Sequence, residues 1–280
     1  MNTTRLPSPF TTRTIIIMTV SEPVAFLSTL PRADGSATYS HAGYTITASA
    51  NGPLEAQRRD EDPDEATVDV VVRPAAGVGG PSERHLESIL QKTLHEIILV
   101  QDFPRCLIQI VLQIQSAPEN DYVNTKLNVP GLNLGVVPAL LQSAVLALLS
   151  ASIPLRTTAT AASFAYVPDN KNKGESKLVS SFSPRDAAVA RSTHVLAFAA
   201  HHDKLLLAES EGEFSMEEWD DVVAAARKIC CAINSQEEED GMALDTTTNS
   251  LSSDGPDMRE FVRSTMQGKL EDALKWKTAQ

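Results

Sequence analysis

Apolar and polar positions alternate along the first third of the chain with the period of a half-buried strand. Residues 44–48 alternate large and small side chains with a period of two, and residues 66–72 are rich in β-branched valine, so both runs predict strands. Turn signals bound these runs at Asp34-Gly35, Gly43 and Gly52-Pro53. The pattern predicts a β-meander in which residues 66–72 form a central strand and residues 55–65 form a polar hairpin loop.

Helical periodicity begins after this strand. Apolar residues recur every three or four positions from Leu86 to Ile98, which predicts a helix with one buried face. Ser82 is the predicted N-cap, and Asp102-Phe103-Pro104 is predicted to end the helix near Val100.

The rest of the chain continues to alternate between the two periods. Its predicted elements are a core strand over residues 106–115, a polar surface loop over 116–131, a buried helix over 132–151 with Pro138 in its first turn, strands over 157–167 and 177–182, a hairpin over 193–208, and a helix that begins at a Ser215–Glu218 capping box. This order predicts an α/β (α+β) fold with mixed sheets and with helices packed on one face or between them.

Composition divides the chain into four parts. Residues 1–17 are predicted to be a disordered extension, and residues 18–234 are predicted to form the main domain. Residues 235–256 open with an acidic run and predict a flexible linker, because they cannot bury a core. Residues 257–277 predict an amphipathic helix that begins at an Asp257–Glu260 capping box. A tethered helix with an apolar stripe is expected to dock, on its own domain or on a neighbour.

Charge and cysteine content narrow the possible chemistry. The 280 residues carry a net charge of -12 with a sequence pI near 4.9, which is the wrong sign for binding polyanions by bulk electrostatics. Cys106, Cys230 and Cys231 have neither a disulfide nor a metal-binding spacing, so they are predicted to be small buried residues. The Gly-rich residues 75–81 lack the spacing of a phosphate-binding loop and predict a linker.

No cofactor, metal site or membrane span is predicted. The adjacent His201 and His202 cannot both face one metal from a hairpin tip, and together with His194 they are predicted to be exposed turn residues. The longest apolar runs are far short of the ~20 residues that a membrane span needs.

Residues 32–74 have the sequence RADGSATYSHAGYTITASANGPLEAQRRDEDPDEATVDVVVRP. The Asp-Gly-Ser-Ala run, the Gly-Pro-x-Glu run and the strand that ends in Val-Arg-Pro resemble the opening of the RNase PH family. The resemblance is to its eukaryotic branch, the RNase PH-like subunits of the RNA exosome ring, of the ribosomal-RNA-processing type 46. It covers about residues 18–234 and is most specific in the first half.

This resemblance implies an RNase PH-like fold and an assembly. The expected partners are other RNase PH-like exosome ring subunits, which close into a hexameric ring, RNA-binding cap proteins on that ring, and RNA threaded through it toward an attached hydrolytic nuclease.

Catalytic members of the family use phosphate to remove 3′-terminal nucleotides, which requires arginines around the phosphate and carboxylates that hold a metal. The phosphate motif, Gly-Gly-Thr-Arg, is expected near residues 130–136, which contain no arginine. Gln91 and His95 stand at the places of the first-helix arginines. Of the two catalytic carboxylate positions, the first is Ser180, and the second is Asp186, which is expected to be a turn or capping residue.

The resemblance, with these replacements, implies a non-catalytic structural subunit that supports 3′-to-5′ RNA processing and decay, including rRNA maturation, in the nucleus, nucleolus and cytoplasm. Arg58 and Arg59, with Arg105 as a weaker candidate, are expected to contact the RNA backbone, unless the loop arginines pair with the acidic residues 60–62 beside them. Two alternatives are open. One is an active phosphate-dependent 3′-to-5′ exoribonuclease, alone or with arginines from a partner subunit, and the other is an unrelated two-layer α/β binding module.

Overall fold

The computed structural model of the chain describes residues 22–59, 61–118, 133–168, 176–182, 184–200, 203–231 and 257–278. The predicted extension over residues 1–17, most of the predicted loop over 116–131, the predicted linker over 235–256, and His201 and His202 lie outside the described residues. Within the described ranges, each helix is too short or too polar to cross a bilayer.

Five strands form the first sheet in the order β1-β2-β3-β5-β4. They are β1 Val24–Leu27, β2 Gly35–His41, β3 Tyr44–Glu55, β4 Thr67–Arg73 and β5 Cys106–Ser116. Residues in the middle of the sheet alternate between a buried and a half-exposed face, as in β4, where Val68, Val70 and Val72 are buried. β4 runs parallel to β5, whereas the other neighbouring strands are antiparallel.

The predicted meander is correct as far as the reversal at Gly43 and wrong beyond it. Gly52-Pro53 is not a reversal, because β3 continues to Glu55 across a bulge between Asn51 and Leu54. The valine-rich run does form a strand, but β5 pairs with both β3 and β4 and separates them. β4 is therefore an edge strand, and the loop before it is not a hairpin. The predicted central position was wrong because the parallel partner of β4 comes from a distant segment.

Two helices pack on the buried face of this sheet. α1 Pro81–Ile97 buries the predicted apolar stripe, but its N-cap is Gly80 and not Ser82. The Gly80 N–H donates to Oε2 of Glu83 at 2.5 Å, so the glutamate in the first turn satisfies the free backbone group. α2 Val137–Ser150 has Pro138 in its first turn and is buried on nearly every side, as predicted.

Four antiparallel strands form the second sheet in the order β7-β6-β8-β9. They are β6 Ala159–Pro168, β7 Ser176–Ser180, β8 Ser192–Ala199 and β9 Leu205–Gly212, and a short helix that was not predicted, α3 Pro184–Val189, joins β7 to β8. α2 lies between the two sheets, and α4 Met216–Cys231 covers the other face of the second sheet. The fold thus confirms the prediction of mixed α/β layers.

The start of α4 confirms the predicted capping box. The Ser215 N–H donates to Oε2 of Glu218 at 2.9 Å, and the Glu218 N–H donates to Oγ of Ser215 at 3.3 Å. Both bonds satisfy backbone donors that have no partner inside the helix.

The C-terminal helix, α5 Met258–Thr278, docks on the same chain through its first half. It begins at Asp257, whose Oδ1 accepts the N–H of Arg259 at 2.9 Å. Met258 and Val262 are buried. Further along, Nζ of Lys269 donates to the carbonyl oxygen of Ser150 at 2.9 Å and to its Oγ at 2.7 Å. Beyond Lys269 the large apolar side chains of α5 are exposed, namely Leu270, Leu274 and Trp276.

Candidate functional site

A small cavity lies at the junction of the two sheets and α2, with a volume of about 50 Å³. Ser180, at the end of β7, and Gly135, just before α2, both line it. The structure therefore brings together the first expected carboxylate position and the segment in which the phosphate motif was expected. The remaining lining residues are Tyr39, His41, Ala42, Tyr44, Pro138, Ala139, Ala161, Ala162, Ser163, Ser181, Phe182, Ile229 and Met258.

Aromatic side chains occupy the space in front of Gly135. An added Cβ at Gly135 would lie 3.2 Å from Cε2 of Phe182 and 3.4 Å from the hydroxyl oxygen of Tyr44. Phe182 and Tyr44 are both buried. A side chain at position 135 would therefore crowd the Phe182 ring, and glycine allows this ring to pack close to the chain that leads into α2.

The described part of the cavity lining carries no fixed charge. Among the described residues, no lysine, arginine, aspartate or glutamate lines it. Burial lowers the pKa of His41, so its imidazole is neutral at neutral pH. A phosphate ion in this cavity would meet hydroxyls and a neutral ring instead of guanidinium groups, and a divalent cation would meet no carboxylate.

Asp186 lies in the first turn of α3, beyond the end of β7. Its carbonyl oxygen accepts the N–H of Ala190 at 2.8 Å, and its side chain is not part of the cavity lining. A carboxylate in the first turn of a helix interacts favourably with the positive end of the helix dipole. The turn or capping role of Asp186 stays a prediction.

Gln91 and His95 lie on α1 and do not line the cavity. Nε2 of Gln91 donates to the carbonyl oxygen of Val68 at 2.8 Å, and the N–H of Val72 donates to Oε1 of Glu87 at 2.9 Å. Polar side chains of α1 thus satisfy backbone groups of the edge strand β4. Nε2 of His95 lies 3.2 Å from Oε1 of Glu65 in the loop before that strand. Gln91 and His95, which stand at the places of the family's arginines, therefore contact β4 and the loop before it.

The three candidate RNA-binding arginines lie near the same end of the first sheet. Arg58 and Arg59 follow the end of β3, and Arg105 precedes β5, whose first residue pairs with Glu55. All three side chains are exposed. The Arg105 N–H donates to the carbonyl oxygen of Asp62 at 3.1 Å, and Nε of Arg105 lies 3.2 Å from Oε1 of Glu61. Arg105 thus forms an exposed ion pair with an acid of the loop, which contributes under ~1 kcal/mol. The pairing considered for Arg58 and Arg59 stays a prediction.

His194 is a buried polar residue that sequence reasoning placed wrongly. It was predicted to be exposed in a turn, but it lies inside β8 and is fully buried. Its Nδ1 is 2.8 Å from Oγ of Ser210 and its Nε2 is 3.0 Å from Oγ of Ser192. Burial lowers the pKa of His194 to about 4, and the nearby Glu218 carboxylate opposes this shift only in part. The signal for burial was available in the sequence, because His194 falls within a run that was predicted to be a strand and not at the hairpin tip.

The cysteines at the end of α4 are buried, as predicted. Burial raises the pKa of the Cys230 thiol to about 12 and that of the Cys231 thiol to about 11, so both remain protonated and unreactive at neutral pH. Asp203, beside Cys231, forms an ion pair with Arg259 of α5, and the hydrogen bond from Arg259 lowers the pKa of its carboxyl. The described residues contain no group of three histidine, cysteine, aspartate or glutamate side chains placed to hold a metal ion.

The chain is similar to proteins of known family over part of its length. Residues 24–154 match the model of the 3′ exoribonuclease family, domain 1 (RNase PH). The chain is 34% identical over 127 residues to the exosome complex component rrp46 of Schizosaccharomyces pombe, an alignment that covers 45% of this chain and 50% of that protein. It is 25% identical over 211 residues to the exosome complex component RRP46 of Saccharomyces cerevisiae, covering 74% of this chain and 89% of that protein.

The fold also has a solved counterpart. The crystal structure of rice (Oryza sativa) Rrp46 superposes with a TM-score of 0.62 and 22% sequence identity, covering 73% of this chain and 87% of that chain. At this identity the structural likeness shows the fold alone. The similarity in sequence is to the family model and to the two yeast proteins. The chain therefore has the fold of rice Rrp46, is similar to RNase PH domain 1 over residues 24–154, and is similar in sequence to two exosome complex components of the Rrp46 type.

Proposed function

We propose that this chain is a non-catalytic structural subunit of the RNA exosome ring, which supports 3′-to-5′ RNA processing and decay by channelling RNA to an associated nuclease. The observation that carries the proposal is the combination of an RNase PH-like framework with a cavity at Gly135 and Ser180 that no charged side chain lines among the described residues. The two yeast relatives, which are named exosome complex components, support membership of the exosome complex.

The physical case against phosphorolysis rests on the charge of the attacking group. Inorganic phosphate is an anion, and the leaving 3′ oxygen also gains negative charge, so the site must supply preorganised cations or strong donors. Loss of one such donor typically costs on the order of 10² to 10³ in rate. The cavity offers serine hydroxyls and the neutral His41 instead. Several donors are missing together, so the chain contributes a framework and no chemical step.

The expected partners follow from this role. They are the other RNase PH-like subunits of the ring, the RNA-binding cap proteins on it, and the RNA that passes through. Arg58, Arg59 and Arg105, exposed at one end of the first sheet, are the proposed contacts to the RNA backbone. The proposed locations are those of RNA processing and decay, namely nucleus, nucleolus and cytoplasm.

The catalytic part of the proposal is tested with the purified chain and with the ring that contains it. Each is incubated with 3′-tailed RNA, phosphate and magnesium, and the products are separated by chromatography. No nucleoside diphosphate release above background is expected. Release that disappears in Asp186→Asn would overturn the proposal in favour of an active phosphorolytic enzyme.

The structural part is tested by co-expression with the other ring subunits. The chain is expected to elute with them in a stoichiometric complex in size-exclusion chromatography, and native mass spectrometry should count one copy. A chain that folds well, shown by cooperative thermal unfolding, but stays monomeric with all ring subunits present would contradict a structural role.

The RNA contact is tested in the assembled ring with the double variant Arg58→Gln, Arg59→Gln. Each phosphate contact adds about one counterion to the salt dependence of binding, so the slope of log Kd against log salt is expected to fall by about 2. The matched control is the double variant Arg84→Gln, Arg263→Gln, which removes the same charge at exposed arginines on α1 and α5. An unchanged slope would show that the loop arginines do not touch RNA.

A further inference from the structure

Three large apolar side chains are exposed at the end of the second sheet where β8 begins and β9 finishes. They are Val189, Phe214 and Met216, with 61%, 42% and 73% of their surfaces exposed, and we call them the apolar corner. Two hydrogen bonds hold their segments together. Nε of Arg191 donates to the carbonyl oxygen of Glu213 at 2.9 Å, and the Glu213 N–H donates to the carbonyl oxygen of Arg191 at 3.3 Å.

The apolar corner rests on a rigid base. The Phe214 ring packs edge-on against the buried His194 ring, with centroids 4.8 Å apart, and lies 5.9 Å from the Trp219 ring. The Ser215–Glu218 capping box fixes the backbone between Phe214 and α4. The Phe214 ring is therefore held in place before any partner arrives, which reduces the entropy lost on binding.

The rim of the apolar corner is acidic. Glu211, Glu213, Glu217 and Asp220 are exposed, and none of the four forms an ion pair with another described residue. The nearby Arg191 is already engaged, because its Nη2 lies 2.6 Å from Oε2 of the buried Glu218. A negative rim around apolar side chains repels nucleic acid and attracts a cationic protein surface.

An unpaired strand edge adjoins the apolar corner. Among the described strands, β9 has β8 on one side and none on the other. Its N-terminal end lies near α1, where Nζ of Lys204 is 3.7 Å from Oε2 of Glu96. Its C-terminal half therefore offers outward backbone N–H and C=O groups beside the acidic rim.

We propose that the apolar corner docks an extended segment of a partner protein that carries lysine or arginine beside an apolar side chain. The segment adds to the C-terminal half of β9, places its apolar side chain against Phe214 and Met216, and places its cation among Glu211, Glu213 and Glu217. This inference goes beyond the proposed function, since it concerns a protein-binding surface that is separate from the RNA-facing arginines.

The proposal is tested by photo-cross-linking in the native assembly. A photoreactive benzoylphenylalanine replaces Met216 in the tagged chain, the complex is purified through the tag and irradiated, and the adduct is identified by mass spectrometry. The expected adduct is a peptide of another protein with a lysine or arginine within a few residues of the cross-link. An RNA adduct, an acidic peptide, a second copy of this chain, or no adduct in a folded and assembled complex would overturn it.

Charge reversal supplies the second arm. The variant Glu213→Lys, Glu217→Lys is expected to slow association of the cross-linked partner about tenfold and to abolish its acceleration at low salt. The control Glu22→Lys, Glu271→Lys makes the same change in net charge at exposed acids elsewhere and should leave association unchanged. Equal effects of the two variants would mean that only overall charge matters. Because the partner is captured through this chain, the outcome does not depend on whether the chain enters an exosome ring.

Discussion

Replacement of Met258 by alanine tests the docking of α5 on its own domain. Met258 is 4% exposed and lines the cavity beside Ser180, so its side chain is part of the core. A buried Met→Ala change removes ~2–5 kcal/mol from the free energy of unfolding. For a chain of this size each 1 kcal/mol lowers Tm by ~2–4 °C, so a fall of ~4–20 °C is expected if α5 unfolds together with the rest.

The loss of stability in Met258→Ala cannot exceed the free energy with which α5 docks on the domain. Besides Met258, the docked half contributes the buried Val262, the Phe261 ring at 6.0 Å from the Tyr39 ring, the ion pair of Arg259, and the bonds of Lys269. If the helix undocks before the domain unfolds, the loss appears as local opening. Hydrogen exchange of amides 258–269 then measures it, and ~2 kcal/mol corresponds to about thirtyfold faster exchange.

The matched control lies on the same helix. Leu270 is 59% exposed, so Leu270→Ala is expected to change the stability of the monomer by less than ~0.5 kcal/mol. The reasoning is refuted if the two variants lose equal stability, or if Met258→Ala changes neither Tm nor the exchange of α5. Either result would mean that the helix is not packed on its own domain.

Three further results are expected. Burial lowers the pKa of His194 from 6.5 to about 4, so as the pH falls the unfolded chain binds a proton at His194 before the folded chain does. The free energy of unfolding is therefore highest above pH 6.5 and declines between pH 6.5 and 4. Urea unfolding at stepped pH should show a shallower decline in His194→Gln, and an imidazole NMR midpoint near 6.5 would contradict this. Glu218→Ala should lower the free energy of unfolding in urea by ~1–3 kcal/mol, because it removes both the capping hydrogen bond to Ser215 and the ion pair with Arg191. Glu217→Ala, at an exposed position, should lower it by less than ~0.5 kcal/mol. Similar losses in the two variants would refute the capping role. Phe182→Ala should lose ~3–5 kcal/mol by the same assay and gain no phosphorolysis, because among the described residues no cation lines the enlarged cavity. A loss under ~1 kcal/mol would show that Phe182 does not fill the site.

Elements defined by local pattern could be predicted from the sequence. Alternation over residues 106–115 predicted β5, which runs from Cys106 to Ser116. The apolar content of residues 132–151 and the position of Pro138 predicted α2, although the regular helix starts only at Val137. In both cases the residues that set the period are the residues that are buried, so no information from elsewhere in the chain was needed.

Pairing between distant segments could not be predicted. β4 has the composition of a central strand but lies at the edge, where Gln91 and Glu87 of α1 bind its backbone at Val68 and Val72. An apolar strand can lie at the edge of a sheet when side chains of a helix bond to its outward backbone groups. The hydrophobic period of the sequence does not reveal such bonds. The cavity has the same origin, because its lining comes from β2, β3, the start of α2, the second sheet, α4 and α5. Only Ser180 and the segment around Gly135 could be named in advance.

The local balance of charge determines how strongly Arg58, Arg59 and Arg105 can attract RNA. Exposed charges are screened over ~8 Å at physiological ionic strength, so the balance around Arg58, Arg59 and Arg105 matters more than the net charge of -12. Residues 60–65 alone contribute five carboxylates against these three guanidinium groups. An RNA phosphate can displace Glu61 from Arg105, because that exposed pair is worth under ~1 kcal/mol, but the remaining acids keep the local attraction small. We therefore propose that stable RNA contact at this end of the sheet would require positive potential from partner subunits, so that the assembly and not the isolated chain would bind RNA.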